Sequence, residues 1–197
     1  MGAEMRGFTA IMSAIGFCAT AFAGTPAAAS PVGCAWDKLP ATEQARLRKE
    51  FKVELRDGGF TLLFANHDVA AATDAAQQCQ LNTTSAQNEN LALALSRHAA
   101  VHNARQGLVD KGADPASLEK ALAKVHEGKR VAIGNKLSCP GPHSSIREWD
   151  ASLKSAIGKA RLGLENPRAY SWVSLGLYAI MAEEGAVRRI EGTAPAC

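Results

Sequence analysis

The chain predicts an all-α fold: a compact bundle of about five to six helices stapled by two disulfides. Three observations carry this expectation. Alanine, the best helix former and a poor strand residue, makes up about a fifth of the sequence. Apolar residues recur at helical spacing between Pro, Gly and Asx punctuation along most of the chain. Four cysteines, Cys34, Cys79, Cys139 and Cys197, follow an amino-terminal segment of export type. At 197 residues, 47% hydrophobic and 21% charged, the chain is long enough for one domain with a real core.

Residues 1–23 read as a cleaved secretory signal. One basic residue, Arg6, precedes an apolar run from Phe8 to Ala23. The run is about 16 residues, shorter than the roughly 20 needed to cross a bilayer. It ends in Ala21-Phe22-Ala23, a small-x-small triplet suited to signal peptidase, so the mature chain is expected to begin at Gly24. Cleavage removes one cation and one anion and leaves the net charge at +3. The expected location is periplasmic or secreted, and the mature chain is not expected to be an integral membrane protein.

Residues 24–36 are small and Pro-containing and read as a linker; a single helical domain over 37–197 follows. Asp37 and Pro40 open the first helix, with Leu47, Phe51 and Leu55 on one face and Gly58-Gly59 as its stop. The same stretch also alternates in period two around Asp57-Gly58, so a small β-hairpin at 51–64 is the competing expectation. Helix is preferred there, because an isolated hairpin has no sheet to join. A second helix follows Asp68 and ends at Cys79. The Thr84-x-x-Gln87 capping box opens a long third helix that Gly112 closes. Asp114-Pro115 opens a fourth, running from Leu118 to Leu137 and ending before Cys139-Pro140. Ser145-x-x-Glu148 reads as the capping box of a fifth. Asn166-Pro167 starts a sixth, uncharged from Ala169 to Ala182 and apolar all round, as a buried central helix is.

The four mature cysteines imply two disulfides in an oxidising compartment. No two lie close enough for the paired spacing of zinc sites. Adjacency of the first two helices predicts Cys34–Cys79, and contact between the fourth and last predicts Cys139–Cys197.

His98 and His102, four residues apart on the third helix, put two imidazoles on one face where they could share a metal. His67, His126, Glu183 and Glu184 are the ligand types available to complete such a site. The Glu-x-x-His of di-iron bundles, His-Glu-x-x-His, Cys-x-x-Cys-His and Gly-x-Ser-x-Gly are all absent from the sequence. Ser117-x-x-Lys120 matches one acylation motif but lacks the Ser-Asp-Asn and Lys-Thr-Gly elements that accompany it. Asn82-Thr83-Thr84, a glycosylation sequon, reads as a loop with a helix cap. Arg188-Arg189 and Lys129-Arg130 read as solvated faces, and Trp36, Trp149 and Trp172 as core anchors.

The first expectation for function is a non-enzymatic exported protein that binds a protein, an envelope component or a small ligand, with no catalytic residues and no cofactor. The second is a metal- or haem-binding bundle using His98 and His102. The third is a hydrolase whose site assembles only in the fold. Nucleic acid is not an expected partner, because the basic residues are scattered and the net charge is small.

Overall fold

The computed structural model describes residues 30–56, 59–139, 145–146, 151–164 and 167–195. Among them are eight helices and three short strands: α1 (Pro31–Lys38), α2 (Ala41–Glu50), β1 (Lys52–Arg56), β2 (Gly59–Leu63), α3 (Val69–Gln78), α4 (Ser85–Val109), α5 (Ser117–Leu122), α6 (Glu127–Leu137), β3 (Ser145–Ile146), α7 (Ala151–Lys159) and α8 (Pro167–Ile190). The signal expected over 1–23, Trp149 and Cys197 lie outside the described residues.

The frame is the pair α4 and α8, which run antiparallel. Gln87 at the start of α4 donates to the Ile190 carbonyl at the end of α8, at 2.9 Å. At the other end, the Trp172 ring of α8 lies where a Cβ on Gly107 of α4 would be, so that glycine permits the approach. The expected capping box is present, with the Thr84 hydroxyl accepting from Gln87 N and the Gln87 amide oxygen from Thr84 N. Helix α8 is the buried central helix: Val173, Leu177, Ala179, Met181, Ala182 and Ala186 are fully buried. Against it α6 comes so close that a Cβ on Gly185 would strike the Gly134 carbonyl.

Four expectations need correcting. The stretch 31–36, read as linker, is helical: Ser30 caps α1 by accepting from Gly33 N at 3.0 Å, and Pro31 suits the first turn. The first long helix ends at Glu50, and the hairpin holds instead. β1 pairs antiparallel with β2, Val53 opposite Leu62. Phe51, Val53 and Phe64 pack against the core in which Leu62 is fully buried, a period-two arrangement. The sheet thought to be lacking is completed by β3, with Phe60 opposite Ile146. Ser145 accordingly opens no helix, and α7 begins at Ala151. Finally, the fourth helix breaks into α5 and α6 at 123–126, where the His126 ring accepts from Gly128 N and caps α6.

The expected disulfide Cys34–Cys79 is present, with Cα atoms 6.1 Å apart, and joins α1 to the end of α3. Among the described residues it is the only complete disulfide, where two were expected. The second expected pair was Cys139–Cys197, and Cys197 lies outside the described residues.

Candidate functional site

The two histidines singled out by their spacing meet residues from two other helices. His98 and His102 sit one turn apart on α4, their ring centroids 4.9 Å apart at an interplanar angle of 73°. The Glu183 carboxylate of α8 lies 2.9 Å from His98 Nδ1, both side chains being largely buried. Trp36 of α1, only 5% exposed, packs on both rings, with centroids 5.1 Å from His98 and 5.2 Å from His102. The disulfide at Cys34 and the bonds from Gln44 Nε2 to the Trp36 and Leu39 carbonyls fix the helix that presents this indole.

Burial lowers the pKa of His102, and repulsion from His98, Arg105 and Arg48 lowers it further, against a smaller opposing pull from Glu183. The cluster therefore favours a neutral His102, with one ring nitrogen a donor and the other an acceptor. Of the other ligand types, Glu183 is brought to the pair and the rest are not. His67 is exposed, His126 is occupied as a helix cap, and Glu184 pairs with Arg130 of α6. Among the described residues no group of three or more His, Cys, Asp or Glu side chains is placed to hold a metal ion.

Arg97, next to His98 in sequence, was not anticipated. Its side chain is almost wholly buried, its guanidinium 4.3 Å from the centre of the Phe64 ring. Nη1 donates to Ser96 Oγ at 2.8 Å; Nε has no partner, and among the described residues no carboxylate faces it. Burial alone pushes its pKa down to about 10.

A groove of about 400 Å³ opens between α7 and α8, lined by Lys154, Ile157, Gly158, Tyr170, Ser171 and Ser174. Among the described residues, the polar side chains of Lys154, Tyr170, Ser171 and Ser174 make no hydrogen bond or ion pair. A Cβ on Gly158 would meet nothing within 4 Å. Nothing in the sequence flags this place, because its residues come together only where α7 meets α8 in the fold.

The arginines read as solvated faces are instead ties between helices. Arg188 Nε donates to Asn135 Oδ1 at 3.1 Å, and Arg189 donates to Ser138 Oγ at 2.9 Å and to the Asn135 carbonyl. In the Ser117-x-x-Lys120 motif, Ser117 is buried, whereas Lys120 is exposed and faces Asp114 at 3.7 Å. Those two groups do not work together.

Compared with known protein families, curated proteins and solved structures, the chain matches none.

Proposed function

We propose that this chain is an exported helical protein that works by binding a small amphipathic anion in the groove between α7 and α8. One observation carries the reading. Lys154, Tyr170, Ser171 and Ser174 all line one shallow, mainly apolar groove and are engaged by nothing else in the described residues. An apolar floor with a few convergent polar groups is the usual form of a small-molecule site, and about 400 Å³ is the usual size. The ammonium of Lys154 suits a carboxylate or similar headgroup, the hydroxyls add donors, and Ile157 receives the apolar body.

Export is supported by the Cys34–Cys79 disulfide, a bond of oxidising compartments, together with the signal-type segment at 1–23. Among the described residues no helix is long and apolar enough to cross a membrane. Intact mass of the protein recovered from an exporting host should place the mature start at Gly24. A start at Met1 in the membrane fraction would overturn the export reading.

Calorimetric titration with octanoate tests the groove. Saturable binding is expected, weakened by Lys154→Ala and abolished by Gly158→Trp, whose side chain enters open space. Absence of binding, or binding indifferent to Gly158→Trp in a variant that melts as the wild type does, would contradict the proposal.

A further inference from the structure

The cluster beneath Trp36 has no part in that groove, and its charges suit a different task. Four helices meet at His102. Its own helix, α4, adds His98 one turn away, with ring centroids 4.9 Å apart, and Arg105. Helix α1 stacks Trp36 on the ring at an interplanar angle of 19°. Arg48 comes from α2 and Glu183 from α8, and among the described residues α1 brings no charge to bear on it.

The one carboxylate is placed unevenly. Glu183 Oε1 lies 2.9 Å from His98 Nδ1, so an imidazolium at position 98 has its counter-charge in contact. His102 has no such contact; apart from Glu183, the charges around it are Arg48, Arg105 and, when protonated, His98. A proton on this half-buried ring therefore adds a cation to a corner that already holds cations. The indole face attracts a cation to some extent, but against it stand lost hydration and the repulsion of those neighbours.

What confines the ring is also the least anchored part of its surroundings. Helices α4 and α8 are the frame, whereas α1 is an outer helix of eight residues. It is held by burial of Val32, Ala35, Trp36 and Leu39, by the bonds from Gln44 to the Trp36 and Leu39 carbonyls, and by the Cys34–Cys79 disulfide to α3. Withdrawal of Trp36 returns His102 to water and removes the largest obstacle to its proton, which is burial. The closed form is thus favoured by a neutral ring and loses that advantage as pH falls below the ordinary 6.5.

We infer that α1 is a proton-operated flap: protonation of His102, wedged between Trp36 and the cations of α2 and α4, raises the population in which Trp36 is lifted off α4, and the Cys34–Cys79 disulfide holds α1 to α3 so that the flap recloses when the proton leaves.

The test uses the full disulfide-bonded protein between about pH 7.5 and about pH 5, the range in which histidine titrates. Trp36 emission is taken as the difference between wild type and Trp36→Phe, and native-state hydrogen exchange is corrected for the intrinsic effect of pH. As pH falls, the Trp36 emission should move to longer wavelength, as an indole entering water does. The amides of α1 should lose protection severalfold while those of α8 keep theirs, and both changes should reverse on return to neutral pH. His102→Asn, checked by melting to be folded, should abolish both responses. Arg48→Gln, a change at an exposed position, should move them to lower pH, because one opposing cation is gone. Three results overturn the inference: no response in the wild type, quenching of Trp36 without a wavelength shift, which means that the protonated ring stays stacked, or a response that survives in His102→Asn. None of these bears on the octanoate titration, since the groove shares no residue with this cluster.

Discussion

The two ends of the α4–α8 pair are packed with different material. Around α1, α3 and the first half of α4, nine of the fifteen buried residues of the cluster are alanine, among them Ala35, Ala72, Ala75, Ala94 and Ala99. Around α5, α6, α7 and the other end of α8, five of seventeen are alanine, and Leu118, Leu153, Leu177, Tyr178 and Met181 supply the volume. Apolar burial stabilises by about 25 cal/mol per Å², so a layer of methyl groups gains much less per residue than a layer of leucines. The disulfide sits in the alanine layer, Cys34 to Cys79. Small side chains let α1, α3 and α4 approach closely, and a covalent tie makes up for the burial that such packing forgoes. The Trp36–His98–His102–Glu183 cluster lies on that stapled side, where Trp36 belongs to the alanine layer. The α7–α8 groove lies on the leucine side.

The largest expected effect comes from removing the staple. Cys34→Ala/Cys79→Ala opens a loop with a sequence separation of 45. In the chain-entropy account this should lower stability by about 3–4 kcal/mol, read by urea denaturation as a fall in the midpoint with a somewhat steeper slope, because the denatured chain without the cross-link exposes more surface. Next are matched truncations in the two layers. Leu177→Ala, at a fully buried site in the leucine layer, should cost about 3 kcal/mol. Ala75→Gly, in the middle of α3 at a site 1% exposed, should cost about 1 kcal/mol, mostly helix propensity. Equal losses at the two positions would erase the distinction between the layers.

A smaller effect is expected from pH, and it falls on the stapled side. The folded pKa of His102 lies below the ordinary value of 6.5, so folding favours the neutral ring. The associated stability is complete above pH 6.5 and is lost as pH falls from there through the lowered folded value. The protein should therefore melt at a lower temperature in mild acid, and His102→Asn should flatten that dependence. A steeper acid sensitivity in the variant would mean that the burial and charge attributed to His102 act elsewhere.

Much of this architecture is legible in local sequence. The Thr84/Gln87 capping box, the stop at Gly112 (φ +71°) and the uncharged face of α8 are signals carried within a few residues, and each appears where expected. Cys34 pairs with Cys79 as expected, but the joined elements are α1 and α3, with α2 and the hairpin between them in sequence, and not the consecutive helices on which the expectation rested. The misreadings share a different cause. Phe51, Val53 and Leu55 satisfy both a helical and an alternating pattern, and what decides between them is β3, about 85 residues further along the chain. The break between α5 and α6 carries no proline and rests on a histidine ring acting as a cap. At the site, the spacing of His98 and His102 is visible in sequence, but Glu183 and Trp36 come to them only through tertiary packing. Arg97 sits one residue away on the same helix; that it faces Phe64 with no carboxylate among the described residues is a property of packing that no spacing encodes.

The claim that the staple makes up for weak packing on one side is tested most directly by native-state hydrogen exchange on the wild type and on Cys34→Ala/Cys79→Ala. The account predicts that, without the disulfide, the amides of α1 and α3 exchange through a separate opening of low free energy, while those in the second half of α4 and in α8 stay protected. If α1 and α3 instead exchange in step with α4 and α8 after the staple is removed, the molecule is one uniformly packed unit and the contrast between its two layers is wrong.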